Sequence, residues 1–139
     1  MNQNNRDYIT LPSVLTVDAS FVLNFILLDE ATHLPTSVVF ERFNRGEVEL
    51  LSSPLLYYEV GNILKTALNQ KRLNEGLLFK LYENFMGLGI KIIEVNHNEA
   101  MKLAVTSGIT FYDASYVHVS RVTGTPLLSY DEQLLKRIK

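Results

Sequence analysis

A chain of 139 residues, 47% hydrophobic and 20% charged, fits one globular domain and excludes a disordered polymer. With no cysteine, disulfides, thiolate metal sites and cysteine nucleophiles are ruled out, and the absence is consistent with a reducing cytoplasm. The formal net charge of −2 is a weak argument against nucleic acid, although the placement of the charges carries more information than their sum.

Residues 1–13 read as a polar lead-in, without the apolar stretch of a secretory signal, and residues 14–139 as the domain. Leu15-Thr16-Val17 is a short β-branched strand, followed by a helix over Ala19 to Leu28. Thr36 to Asn44 reads as a helix ending before Gly46, and Glu49 to Ser52 as a second strand. Pro54 then opens a long helix, Leu55 to Asn69, where proline suits the first turn. Asn74 caps a helix that runs to about Met86 and closes at Gly87 and Gly89. Ile90 to Val95 is a third strand, Asn98 to Ser107 a helix ending at Gly108, and Tyr112 to Val122 a helix ending at Gly124. Pro126 to Ser129 is a fourth strand, and Glu132 to Ile138 a last helix. Strands alternating with helices predict βαβ units and a parallel sheet covered on both faces. None of the apolar runs reaches the length of a membrane span.

In such sheets ligands bind beyond the carboxyl ends of the strands. Asp18 directly follows the first strand, and Asp131 lies just past the fourth. Both, like Asp113, stand ahead of helices, so each has an alternative role as an N-cap. Glu59 has less excuse. It falls among Leu56, Val60, Ile63, Leu64 and Ala67, the apolar stripe of its helix, where a carboxylate is costly unless paired or bound to a cation. The alternative is a position at the edge of the stripe with the carboxylate in water. Asn62, near the same face, could hold Glu59 or a water. Carboxylates brought together this way repel one another, and a hard divalent cation with oxygen ligands relieves the conflict while supplying the chemistry of phosphodiester hydrolysis. His33, His97 and His118 are read as structural or solvated, and no close histidine pair supports zinc.

Four segments carry a resemblance. Val17-Asp18-Ala19-Ser20 is similar to the opening motif of PIN domains, and Glu59-Val60-Gly61-Asn62 to the Glu-x-x-Asn pattern of VapC-type toxins. Tyr112-Asp113-Ala114-Ser115-Tyr116 resembles the third acidic motif. The fourth is resembled by Leu128-Ser129-Tyr130-Asp131, with its hydroxyl residue two positions before the aspartate. The segments occur in order across nearly the whole chain. The resemblance implies an α/β/α sandwich, a three-layer fold around a parallel sheet of four strands, with a fifth left open because little sequence follows the last helix. It implies a Mg²⁺- or Mn²⁺-dependent endoribonuclease with Asp18, Glu59, Asp113 and Asp131 as catalytic, metal-holding carboxylates and Ser20, Asn62 and Ser129 in support. It also implies an RNA substrate, a homodimer, a cognate antitoxin and a cytoplasmic location. Two other classes compete. A phosphotransferase would need a second acid two residues after the nucleophilic aspartate, where Ser20 stands. A non-catalytic PIN-like binding module would not need the full acidic set.

Overall fold

The computed structural model describes residues 10–27, 29 and 31–139. Most of the expected lead-in, and Leu28 at the end of the first expected helix, lie outside the described residues. Four strands form one parallel sheet: β1 (Val14–Val17), β2 (Glu49–Ser52), β3 (Lys91–Ile92) and β4 (Leu127–Leu128). Seven described helices connect and cover them: α1 (Ala19–Ile26), α2 (Leu34–Asn44), α3 (Leu55–Asn69), α4 (Glu75–Met86), α5 (His97–Ser107), α6 (Phe111–Thr123) and α7 (Glu132–Arg137). Among the described residues there is no fifth strand, and no helix is long and apolar enough to cross a membrane.

The strand order is β3-β2-β1-β4. From β1 the chain steps outward to β2 and β3, then returns across the sheet to lay β4 on the other side of β1. That reversal is a topological switch point, where the loops after β1 and β4 part and leave a crevice. Pairing of Thr16 with Leu127 and Val17 with Leu128 sets the register, and the Asp18 amide donates to the Leu128 carbonyl at 3.3 Å. One step further along the same register, Asp18 stands level with Ser129.

Strand alternation explains the layers. Leu15, Val17 and Leu50 enter the larger core with α1, α2, α3 and α4, so one face of the sheet is sealed by aliphatic and aromatic packing. Phe25 and Phe40 stack at 4.0 Å between α1 and α2. Across β1, β2 and β4 lies α6, with α5 packed against it through Ala100, Ala104 and Ala114, small residues that let two helices approach closely. The expected sandwich is therefore present.

Boundaries differ from expectation where side-chain capping overrides hydrophobic periodicity. Asn96 caps α5, its side chain accepting from the Glu99 amide at 3.0 Å, so that helix begins at His97 and not at Asn98. Thr110 caps α6 by accepting from the Asp113 amide at 3.0 Å, so that helix begins at Phe111. Pro35 lies in the first turn of α2, which starts at Leu34 rather than Thr36. The third and fourth strands are each shorter than their apolar runs, because only the residues that pair with a neighbouring strand belong to the ladder.

Candidate active site

Asp18 is 5% exposed and sits where β1 turns into α1. Its Oδ1 accepts from the Phe21 amide at 3.0 Å and from the Ser20 hydroxyl at 2.7 Å. It is thus an N-cap, but a buried one. Burial pushes its carboxyl above the ordinary carboxylate range, the Ser129 and Ser20 hydroxyls and the Phe21 amide pull it back, and the charge of Asp113 adds to the rise.

Ser20 and Ser129 tie the two sides of the switch point together. While donating to Asp18, Ser20 Oγ accepts from the Tyr130 amide at 2.9 Å and lies 3.3 Å from Ser129 Oγ. Ser129 Oγ in turn accepts from the Asp131 amide at 3.0 Å. Asp131 itself is exposed, and its Oδ1 accepts from the Leu134 amide at 3.0 Å as the N-cap of α7. Its charge nevertheless reaches Asp113 and helps raise that carboxyl.

Asp113 lies in the first turn of α6, half-buried. Because Thr110 takes the capping position, the alternative role for Asp113 as a cap falls away and its carboxylate is left to the crevice. Desolvation is the main cause of its raised pKa, opposed by hydrogen bonding from Thr110.

Glu59 projects from α3, whose buried stripe is Leu56, Val60, Leu64 and Ala67; Ile63 falls to the margin. The carboxylate is half-buried and accepts from the Tyr116 hydroxyl at 2.6 Å. Desolvation raises its pKa, the Tyr116 bond opposes this, and the charges of Asp113 and Asp18 add smaller increments to the rise. Tyr116 is 1% exposed, and burial together with Glu59 drives its phenol far above its ordinary range, so it stays a proton donor. Spacing did not single out this role: the tyrosine sits three residues after Asp113 and pairs with an acid 57 positions away in sequence. Asn62 is exposed and makes no hydrogen bond to Glu59; Tyr116 occupies that function. His118 is buried, its Nε2 accepting from the Asn96 amide at 3.3 Å, as a structural histidine should.

Asp18, Glu59 and Asp113 therefore feel one another's charge, with Asp131 reaching Asp113. Among the described residues no basic side chain forms an ion pair with any of the four. Nor, among those residues, do three acidic or imidazole groups converge tightly enough to make a ready cluster for an ion. Like charges without a counter-ion keep apart. The donor set, all carboxylate and hydroxyl oxygen, fits a hard divalent cation and does not fit zinc's nitrogen and sulfur preference.

A parallel sheet with this strand order and acidic residues around its switch point is the architecture of a PIN-domain nuclease. No family model matches the sequence. The chain is similar to ribonuclease VapC3 of Pyrobaculum aerophilum, 31% identical over 127 residues that span 88% of this chain and 93% of that one. It is also similar to exonuclease VapC9 of the same organism, 26% identical over 81% of this chain and 85% of the relative. Among solved structures, PAE2754 from Pyrobaculum aerophilum aligns with a TM-score of 0.71 at 26% identity, covering 90% of this chain and 85% of that one. Mycobacterium tuberculosis VapC20, a sarcin-ricin loop cleaving toxin, aligns at 0.64 with 18% identity over 89% of this chain and 94% of its own, a likeness of fold. The chain belongs to the VapC family of PIN-domain toxins.

Proposed function

We propose that the protein is an endoribonuclease, the toxin of a VapBC-type pair, which hydrolyses RNA phosphodiester bonds with Mg²⁺ or Mn²⁺. The observation that carries the reading is the gathering of Asp18, Glu59 and Asp113, from three distant parts of the chain, into mutual electrostatic contact with no basic partner among the described residues. Such an arrangement is destabilising in isolation and becomes favourable when a cation binds. Asp18, Glu59, Asp113 and Asp131 would hold the ion. When bound, the cation supplies Lewis acidity toward the phosphate and makes water a stronger nucleophile near neutral pH.

The remaining work falls to the chain. Tyr116 fixes one oxygen of Glu59, and Ser20 fixes one oxygen of Asp18, so neither carboxylate is free to rotate. Ser129 holds the amide of Asp131 and stands against Ser20, which keeps the loops after β1 and β4 at a constant separation. Supporting bonds of this kind orient metal-holding carboxylates and commonly alter affinity or activity by about 10- to 100-fold when removed.

The family resemblance adds a homodimer, a cognate antitoxin that blocks the crevice, and action in the cytoplasm. The names of the relatives leave endo- and exonucleolytic cutting to be separated. A circular RNA has no ends, so its linearisation by purified protein with Mg²⁺ or Mn²⁺, abolished by EDTA, establishes the endonuclease. Intact linear and circular RNAs with either ion would defeat the proposal.

A further inference from the structure

We infer that Tyr130 is a positioning residue for Asp131: its side chain reaches to α2 and fixes the connection from which the fourth carboxylate projects. The inference rests on the nuclease reading and deepens it. Tyr130 lies between Ser129 and Asp131, where the chain passes from β4 to α7. Its hydroxyl meets that of Thr36, in the first turn of α2, at 2.6 Å. Thr36 is fully buried, so the bond forms away from bulk water, where it is electrostatically stronger. The tyrosine ring stacks on Phe21, with centroids 5.4 Å apart, and tilts against His33 at 4.9 Å. Phe21 belongs to the larger core, and its amide donates to Asp18. One side chain thus joins the connection after β4 to both α1 and α2. The receiving side is itself fixed. The buried Asn24 accepts from the His33 amide at 2.9 Å and donates to the Ala31 carbonyl at 3.1 Å, which holds the approach to α2.

Asp131 needs such an anchor. It is exposed, and among the described residues its own hydrogen bonds are local in sequence: its amide donates to Ser129 Oγ, and its Oδ1 accepts from the Leu134 amide. The backbone at Asp131 is extended, with φ −84° and ψ 95°. Successive side chains along an extended chain leave on opposite sides. Drawing Tyr130 toward α2 therefore turns Asp131 the other way, to the side from which its charge reaches Asp113. Stacking alone would not fix this direction, because a ring lying on Phe21 can still slide across it. The hydroxyl pair pins the tip of the ring, and a phenylalanine at this position would keep the stacking and lose the pin.

The test compares variants of the full chain by steady-state cleavage of an RNA that the wild type cuts and by isothermal titration with Mn²⁺. Tyr130→Phe and Thr36→Val should each lower kcat by about 10-fold, with KM for RNA little changed, and weaken Mn²⁺ binding by a similar factor. Thr36→Ser, which keeps the hydroxyl, should retain both. In an Asp131→Asn background, Tyr130→Phe should cause no further loss, because the carboxylate it positions is gone and residues acting as a unit are not additive. Where Asp131→Asn cleaves too slowly to follow, the Mn²⁺ titration carries the comparison. Melting curves set a temperature at which every variant is folded, and there a purely structural hydroxyl would leave kcat unchanged. Wild-type kcat and Mn²⁺ affinity in both Tyr130→Phe and Thr36→Val, while the wild-type chain cleaves RNA, overturns the positioning role and leaves the nuclease standing. Losses that add in full to those of Asp131→Asn place the action of the hydroxyl elsewhere and likewise overturn it. So does an Asp131→Asn variant that cuts and binds Mn²⁺ as the wild type does. RNA left intact by the wild-type chain overturns the nuclease reading, and the positioning role with it.

Discussion

Asp113 shows most directly how the proposed site opposes stability. Its neighbours Asp18 and Asp131 are acidic, and burial raises its pKa, as it does those of Asp18 and Glu59. Between the ordinary carboxylate value and the raised one, the folded protein binds more protons than the unfolded chain. Stability without metal is therefore greatest below that window and falls as pH rises through it. Asp113→Asn removes one of the repelling charges. We expect it to abolish RNA cleavage, by at least about 100-fold, while raising the melting temperature of the EDTA-treated protein at neutral pH. A melting temperature that drops would mean the carboxylate contributes structure instead. Tyr116→Phe probes the same centre from the other side. Hydrogen bonds to charged groups contribute about 1.5–3 kcal/mol, and the loss should fall mainly on metal affinity, by roughly 10-fold, because Glu59 becomes free to turn. Isothermal titration with Mn²⁺ against the wild type measures this; equal affinity would remove Tyr116 from the positioning role.

At the level of elements, the four strands and their parallel pairing were legible from the alternation of short apolar runs with helices, whereas their order in the sheet was not; Asp18, Asp131 and Glu59 stood out because they follow a strand or interrupt an apolar stripe. Asp18 and Asp131 sit at β1 and β4 as their spacing implied, and Glu59 lies beside the buried Leu56 and Val60. Tyr116 was not legible as the holder of Glu59, since the pair depends on how two helices distant in sequence pack together, and local pattern carries no information on such pairs. The boundary of α6 was missed for a related reason. Periodicity starts at Tyr112, but the helix begins where Thr110 satisfies the free Asp113 amide. That cap has a functional consequence, for it sets the rotation at which Asp113 enters the crevice. Thr110→Ala should cost about 1 kcal/mol of stability, and we expect a further loss of cleavage that Thr110→Ser restores. Activity that tracks stability alone, with no recovery in the serine variant at matched folding, would separate the cap from the site. In α3, Leu56→Ala should cost about 2–5 kcal/mol, because a fully buried leucine leaves a cavity in the larger core. Chemical denaturation gives the value directly.

For the whole molecule, the proposed function implies that the fold loses stability by bringing acids together and would regain it on binding an ion. The larger core packs Leu15, Val17 and Leu50 of the sheet against aliphatic and aromatic side chains of α1 to α4, and Asp18 and Glu59 stand at its border, so the elements that hold the sheet also hold the repelling charges. Proton and cation then compete for the same oxygens. As pH rises through the raised carboxylate range, the metal-free protein loses stability and the ionised site gains affinity, so the stabilisation by Mg²⁺ or Mn²⁺ should grow with pH. At a concentration about 100 times the dissociation constant, ligand linkage gives roughly 2.7 kcal/mol, which for a domain of this size corresponds to a rise in melting temperature on the order of 10 °C. Scanning calorimetry with Mn²⁺ and with EDTA across mildly acidic to neutral pH tests both halves. The two curves should converge at acidic pH and separate toward neutrality, and in Asp113→Asn the separation should collapse. Parallel curves at every pH would place the bound ion away from the titrating carboxylates, and identical curves would show that these acids do not take an ion at all.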